Sequence, residues 1–324
     1  MDVGTNSFYD QLIQAISMPF LAIFGNQSDS FGEKRIYWIY LLSSLLLAFC
    51  IYFYEKRKES FGKYIFNKKV WFSKSACIDY IYIFFNSFVK VFLLSIIFRW
   101  APYFVFYLED FLVMHFGYSQ LTFNIWWASF FFLIAFTLVE DFFSFLIHWL
   151  FHKIPILWQF HKVHHSATVM NPITQYRIHP VELLFNNISY LIALGLVQGV
   201  FSWIYFIHKE DVTFISANVF SILFFFSGAN LRHSHVKLRY FSFLENFFIS
   251  PFQHQIHHSN DPKHFNKNLG SKFALWDILF GTLVKSHEAK YIKFGIGTKE
   301  NKDFDTFFKT LWTPFFKMFK TNKE

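Results

Sequence analysis

The residues of this chain best suited to chemistry are histidines clustered at helical spacing. His148 and His152 lie four residues apart, and two triplets repeat the spacing i, i+3, i+4. The triplets are His161, His164 and His165, and His254, His257 and His258. Residues three and four apart share one face of a helix, so each group directs its imidazoles toward one point. Because neutral imidazole binds zinc, copper, iron and nickel, the spacing predicts a metal centre.

The number of clustered histidines predicts two metal ions. A structural zinc site uses four protein ligands and a catalytic zinc site three, so eight histidines exceed one site. All-nitrogen ligation with open positions favours a redox metal that binds dioxygen, and iron is the expected ion, with zinc remaining as an alternative. The two cysteines, Cys50 and Cys77, stand in unrelated contexts and predict neither a disulfide nor a thiolate site.

The composition indicates an integral membrane protein. The 324 residues are 54% hydrophobic and 24% aromatic, and only 16% are charged, against roughly 25% in a soluble domain. A soluble fold would lack polar residues to cover its surface, and the 51 phenylalanines exclude disorder. The N-terminal residues do not resemble a cleaved signal peptide. The net charge of +8 is therefore read as a membrane-orientation signal, and no nucleic-acid partner is predicted.

Hydropathy predicts an all-α integral membrane protein with about four to five transmembrane helices. The candidate spans are residues 36–54, 80–98, 121–139, 183–207 and 212–231. The third helix is expected to run on to residue 151, and the polar residues 208–211 predict a hairpin between the last two spans. Residues 101–120 contain acidic residues and a histidine, which predicts an interfacial or re-entrant segment.

Lysine and arginine predict the orientation of these spans. Residues 55–74 contain seven basic side chains, whereas the hairpin turn contains one, so the basic loop is expected in the cytoplasm. Alternating crossings then place the histidine clusters in a cytoplasmic helical cap. Residues 304–320 predict an amphipathic helix, either lying on an anionic leaflet or packed and broken at Pro314. Residues 7–24 predict a similar surface helix.

Further motifs accompany the histidines at ordered positions. Asp141 precedes His148 by seven residues, and residues 176–182 read Y-R-I-H-P-V-E. Residues 230–235 read N-L-R-H-S-H, and residues 276–282 read W-D-I-L-F-G-T. Together with the three histidine boxes, this series resembles the fatty acid hydroxylase/sterol desaturase superfamily over roughly residues 125–285. The order of the motifs is specific, while any single box would be only suggestive.

The resemblance implies a membrane-bound diiron oxygenase and assigns its site residues. The implied metal ligands are His148, His152, His161, His164, His165, His179, His233, His254, His257 and His258, with His235 as an alternative to His233. A ligating histidine normally donates its second ring nitrogen to an acceptor, and the candidate acceptors here are Glu140, Asp141, Glu182 and Asp277. The chain departs from the bacterial pattern at His235, where asparagine is common, and at Asn266, where an acidic residue is often seen.

The function expected from the resemblance is hydroxylation of a C–H bond in a lipid-like substrate. Fatty acyl chains, sterols, carotenoids and ether lipids all fit entry from the bilayer, and a desaturase would use the same centre. Electrons are expected from a separate cytochrome, ferredoxin or flavin reductase. A zinc-dependent membrane hydrolase and a metal-transport protein are alternatives from other classes. The expected domains are residues 1–120 for the first spans, 121–285 for catalysis and 286–324 for a basic tail, with the oligomeric state left open.

Overall fold

The computed structural model describes residues 37–119, 121, 124–205 and 219–319, and this part of the chain consists of helices and irregular loops. The all-α prediction is therefore confirmed for these residues. The α-helices are α1 (Trp38–Tyr54), α2 (Phe61–Ile65), α3 (Lys68–Trp71), α4 (Lys74–Phe116), α5 (Ile125–Lys153), α6 (Pro155–His165), α7 (Pro180–Tyr205), α8 (Val219–Phe226), α9 (Pro251–His257), α10 (Leu275–Leu279) and α11 (Phe307–Met318). Short 3₁₀ turns connect several of them.

Three of the described helices are long and apolar enough to cross a membrane. They are Lys74–Leu93 within α4, Ile125–Lys153 and Pro180–Tyr205. The first predicted span appears as α1, which has 17 residues. Of the fifth predicted span, the described residues include α8, while the turn at 208–211 lies outside them, as does the surface helix predicted at 7–24.

Helices α4, α5 and α7 form a bundle in which α4 and α7 run in the same direction. Asn86 of α4 donates to the carbonyl of Ile178, just before α7 begins, at 2.8 Å. At the other end, Trp203 of α7 donates to the carbonyl of Gly117, just after α4 ends, at 2.8 Å. Helix α5 runs antiparallel to α7, because Phe132 contacts Phe201 and Phe151 contacts Phe185.

Residues 101–116 do not form the interfacial or re-entrant segment that the sequence predicts, because they continue α4 without a break. The reason is a close fit against α7. A Cβ atom built at Gly195 would lie 1.9 Å from a ring carbon of Phe104, and one at Gly199 would lie 2.8 Å from Leu108. Glycines four residues apart let two helix backbones approach closely. The packing keeps this polar stretch helical despite Pro102.

A cap of short helices and loops covers the end where α5 stops and α7 starts. Helix α11 packs on α6 through a contact between Phe315 and Phe160, with ring centroids 5.2 Å apart. Tyr82 of α4 donates to Thr310 of α11 at 3.0 Å. Pro314 lies inside α11 without breaking it, and the opposite face exposes Trp312 and other aromatic side chains. The helix thus has one packed face and one apolar exposed face.

Candidate metal centre

A sharp corner between α5 and α6 brings the first two histidine boxes together. Helix α5 ends at Lys153 and α6 begins at Pro155, so Ile154 alone separates them. Proline suits the first position of a helix, because its missing N–H would have no partner there. The chain turns sharply at this corner. His148 and His152 of α5 consequently lie against His161 and His165 of α6, and the Nε2 atoms of His148 and His161 lie 3.1 Å apart.

The third box is placed by a well-capped helix. Ser250 accepts from the backbone N–H of Gln253 while the Gln253 side chain accepts from Ser250 N–H, which forms a capping box at the start of α9. The helix is only seven residues long, and its histidines are buried. His233 joins the same region from the loop after the 3₁₀ turn Ala229–Leu231, which follows Gly228 in a left-handed conformation.

The histidines converge into two groups within the described residues. The five-histidine group contains His148, His152, His161, His165 and His257, and the four-histidine group contains His164, His233, His254 and His258. Within each group, one nitrogen of every ring lies within 4.8 Å of the others. The two groups alternate along the chain: α6 contributes to both, and so does the third box.

Oxygen atoms behind the rings set the direction of five of these histidines. The Nδ1 atoms of His148, His164 and His257 lie 2.7, 3.2 and 2.9 Å from the carbonyls of Leu269, Arg177 and Lys267. His161 Nδ1 lies 2.9 Å from Glu182 Oε1, and His152 Nδ1 lies 3.2 Å from Asn266 Oδ1. A carbonyl or amide oxygen can only accept, so Nδ1 of His148, His152, His164 and His257 carries the proton and Nε2 presents a lone pair. The Glu182 carboxyl approaches His161 without hydrogen-bond geometry.

Buried, unpaired ring nitrogens show whether these residues suit a bound metal. His148 and His257 donate from Nδ1 to backbone carbonyls, so their Nε2 atoms carry lone pairs, and Nε2 of His148 lies 3.1 Å from Nε2 of His161. The Nε2 atoms of His152 and His257 are buried without a hydrogen-bond partner. Unpaired buried acceptors are costly, and a shared cation removes that cost. The residues present therefore fit two bound metal ions.

Burial keeps the imidazoles of the cap neutral at physiological pH. Desolvation lowers the pKa of His161 and of His164 to about 3, and it lowers the pKa of His165, His254 and His257 well below the usual value. A metal ligand must be deprotonated to bind. These histidines are thus in the protonation state that coordination needs.

Two histidines in the predicted ligand set lie outside both groups. His179 accepts from the N–H of Val181 through Nδ1 at 3.1 Å and donates through Nε2 to the carbonyl of Leu311 at 3.0 Å. Both of its ring nitrogens are used, so it joins the start of α7 to α11. His235 donates from Nε2 to the carbonyl of Tyr64 at 2.8 Å. Of the alternative pair, His233 is the member that the structure brings to the other histidines.

The predicted carboxylates divide between two tasks. Glu182, at the start of α7, contacts His161 as the sequence predicts. Asp141 instead accepts from the N–H groups of Lys272 and Phe273 at 2.8 and 3.1 Å. Glu140 pairs with the ammonium of Lys272 at 2.5 Å. The expected histidine contact of Glu140 and Asp141 is thus replaced by contacts to a loop.

That loop, residues 267–274, has a role at the site that the sequence did not predict, and we call it the carbonyl loop. Asp277, another predicted acceptor for histidine, holds it by accepting from the N–H groups of Leu269 and Gly270 at 2.8 and 2.7 Å. The carbonyls of the loop then receive His148 and His257. Asp277, which follows the loop closely in the sequence, was the available signal. The carbonyls themselves could not be predicted, because every residue has one.

Comparison with known proteins finds similarity over the histidine-rich half of the chain. The family model described as fatty acid hydroxylase matches residues 132–282. Ornithine lipid hydroxylase OlsE of Rhizobium tropici is 28% identical over 55% of this chain and 49% of its own. Alkylglycerol monooxygenase of Xenopus tropicalis is 26% identical, over 50% of this chain and 31% of its own.

A sterol-oxidising protein shows similarity of the same extent. C-4 methylsterol oxidase erg25 of Schizosaccharomyces pombe is 27% identical over 53% of this chain and 52% of its own length. The chain thus spans about half or less of these relatives. No solved structure gives a significant match. The matched segment contains both histidine groups and the aspartates that hold the carbonyl loop.

Proposed function

Residues 132–282 of this chain belong to the fatty acid hydroxylase family, and from that premise we propose that the protein is a membrane-bound diiron oxygenase that hydroxylates a lipid C–H bond. The observation that carries the proposal is the convergence of nine histidine side chains into two adjacent groups, with the Nε2 atoms of His152 and His257 buried and unpartnered in one of them. The names of the relatives, which are a lipid hydroxylase, a monooxygenase and a sterol oxidase, support an oxygen-dependent reaction.

In this proposal the two histidine groups each hold one iron ion. All-histidine ligation adds no negative charge, and a reduced iron pair supplies activation of dioxygen for attack on an unactivated C–H bond. One oxygen atom enters the C–H bond as a hydroxyl, and the other leaves as water after two electrons and two protons are supplied. The electrons come from a separate donor protein.

The residues of the chain contribute orientation and exclusion of water. Glu182 and the carbonyl loop fix the rings of His161, His148 and His257 before a metal arrives. All residues of the four-histidine group are buried, as are His161, His165 and His257 of the other. A dry site of this kind protects a strong oxidant from side reactions.

The substrate is proposed to be a lipid that enters from the bilayer. The site lies at the end of the bundle of α4, α5 and α7, whose outer faces expose many large apolar side chains. We place this end at the cytoplasmic surface, because residues 55–74, with seven basic side chains, precede α4. The exposed aromatic face of α11 then lies at the same interface.

The experiment is lipid mass spectrometry of cells with and without the protein, grown under ¹⁸O₂. The expected result is a lipid heavier by one oxygen atom, with the label in the new hydroxyl. His161→Ala and His257→Ala should abolish the product, while His287→Ala, an exposed histidine outside both groups, should not.

Other products would decide against hydroxylation. An unlabelled alkene would replace the hydroxylase by the desaturase alternative, with the site unchanged. Product formed by purified protein without dioxygen and reductant would contradict an oxygenase and favour zinc-dependent hydrolysis, which needs only water.

A further inference from the structure

The group behind His254 differs in kind from the carbonyls behind His148, His164 and His257. Its Nδ1 lies 2.8 Å from Nη2 of Arg232, a side chain that is 3% exposed. A guanidinium has five N–H donors and no acceptor. The Nδ1 atom of His254 must therefore accept, whereas those of His148, His164 and His257 donate to carbonyls.

This reversal affects the nitrogen that faces the metal position. In a neutral imidazole whose Nδ1 accepts, the proton is on Nε2. The Nε2 atom of His254 lies 3.0 Å from that of His233 and 3.2 Å from that of His258. A metal can use His254 through Nε2 only if this proton is displaced or the guanidinium turns away.

The guanidinium is not free to turn at little cost. Arg232 also donates to the carbonyls of Gly270 and Ser271 in the carbonyl loop, at 3.1 Å for Gly270. Rotating it would leave the carbonyls of buried Gly270 and half-buried Ser271 without that donor. Its positive charge, adjacent to a ring of the four-histidine group, further opposes a second cation there.

We propose that Arg232 is a positioning residue that makes the four-histidine group the weaker of two metal sites, so that the five-histidine group fills first. This inference rests on the proposed two-metal function and adds an order of loading. It also gives Arg232 a role at the metal centre that is distinct from the ligand role of the histidines.

The test is a titration of metal-free protein in detergent with Co²⁺, followed by absorption and by metal per chain against a competing chelator. Wild-type protein should show two classes of site that differ in affinity by about tenfold or more, the scale of effects from groups behind a ligand. His233→Ala should remove the weaker class and His152→Ala should disturb the tighter one.

Variants of Arg232 separate this role from simple support of the loop. Arg232→Gln removes the charge and offers an amide oxygen that can accept from Nδ1, so the weaker class should tighten about tenfold. Arg232→Lys keeps a cationic donor and should behave as wild type. Arg239→Gln removes an equal charge from an exposed position and should leave both classes unchanged.

Three results would overturn the inference: two classes of equal affinity in wild type, loss of the tighter class in His233→Ala, or weakening of the second class in Arg232→Gln. The wild-type titration tests the inference even if a variant does not fold. Binding of fewer than two ions per chain would instead contradict the proposed function.

Discussion

At His161 the carboxylate of Glu182 lies 2.9 Å from Nδ1, and at His148 and His257 backbone carbonyls occupy the same position. The two carbonyl contacts select the tautomer with the proton on Nδ1 and the lone pair on Nε2. These contacts form within the protein alone, so the rings are directed before a metal binds. Preorganisation of this kind raises metal affinity, because less rotational freedom is lost on binding.

Replacing Glu182 should weaken the five-histidine site. Glu182→Leu removes the acceptor behind His161, and we expect metal affinity there to fall by about 10- to 100-fold. Glu182→Gln keeps an oxygen acceptor and should retain most of it. Chelator competition with Co²⁺ measures both variants. Equal losses in the two variants would contradict a role through the oxygen that lies next to His161 Nδ1.

Acid should destabilise the metal-free cap. His161 and His164 have pKa values of about 3 in the folded protein because they are buried, against about 6.5 when unfolded. Between these values the unfolded chain binds more protons, so the free energy of unfolding falls as pH decreases. The loss should approach about 2 kcal/mol per histidine by pH 5, since one pH unit corresponds to about 1.4 kcal/mol.

The measurement is the thermal unfolding midpoint of metal-free protein in detergent from pH 7.5 to pH 5. His164→Asn, which does not titrate, should show a shallower dependence. A midpoint that stays constant or rises on acidification would contradict the prediction.

At the scale of elements, the arrangement depends on how α4 and α7 approach each other. Gly195 and Gly199 allow Phe104 and Leu108 to lie against the backbone of α7. This packing aligns the two helices along their length and brings Asn86 to the carbonyls before Pro180. The start of α7 is thereby held against α6, where Glu182 lies next to His161.

Filling the contact at Gly195 should separate these helices. A leucine side chain there would overlap Phe104, and overpacking of this kind typically costs about 1–3 kcal/mol. Gly195→Leu should lower the thermal unfolding midpoint in detergent and reduce metal retention. Gly62→Leu is the matched control, because a Cβ at Gly62 meets nothing within 4 Å. Equal effects of the two substitutions would show that close approach is not the cause.

At the scale of the whole molecule, charge and apolar surface predict how the protein sits in a membrane. The basic residues 55–74 adjoin the start of α4, while Gly117 and Trp203 mark the opposite end of the bundle. The histidine groups share the first of these ends. Positive side chains are retained in the cytoplasm, so the metal centre is expected there.

Site-directed labelling tests this orientation. In a background where Cys50 and Cys77 are serine, Lys58→Cys should react with an impermeant maleimide only after the cytoplasmic side is exposed. Tyr118→Cys, at the opposite end, should react from outside. Both positions are exposed. The reverse pattern would place the metal centre outside the cytoplasm.

The sequence by itself indicated the long apolar helices and the three histidine boxes, because helical periodicity and apolar length are local properties of the chain. It also identified the superfamily, from motifs whose order survives in the matched segment. It could not show that residues 101–116 continue α4, because the glycines that accommodate them lie in another helix about 90 residues away.

Only the tertiary structure decided how the histidines divide into groups and what lies behind each ring. His164 and His165 are neighbours in sequence yet belong to different groups, because the corner at Ile154 and the placement of α9 determine which rings meet. His179 lies in a family motif and His235 departs from one, and each donates from Nε2 to a backbone carbonyl, that of Leu311 or of Tyr64. Packing between distant segments places the carbonyl acceptors and the guanidinium of Arg232 behind the histidine rings. Residue type alone does not predict that placement.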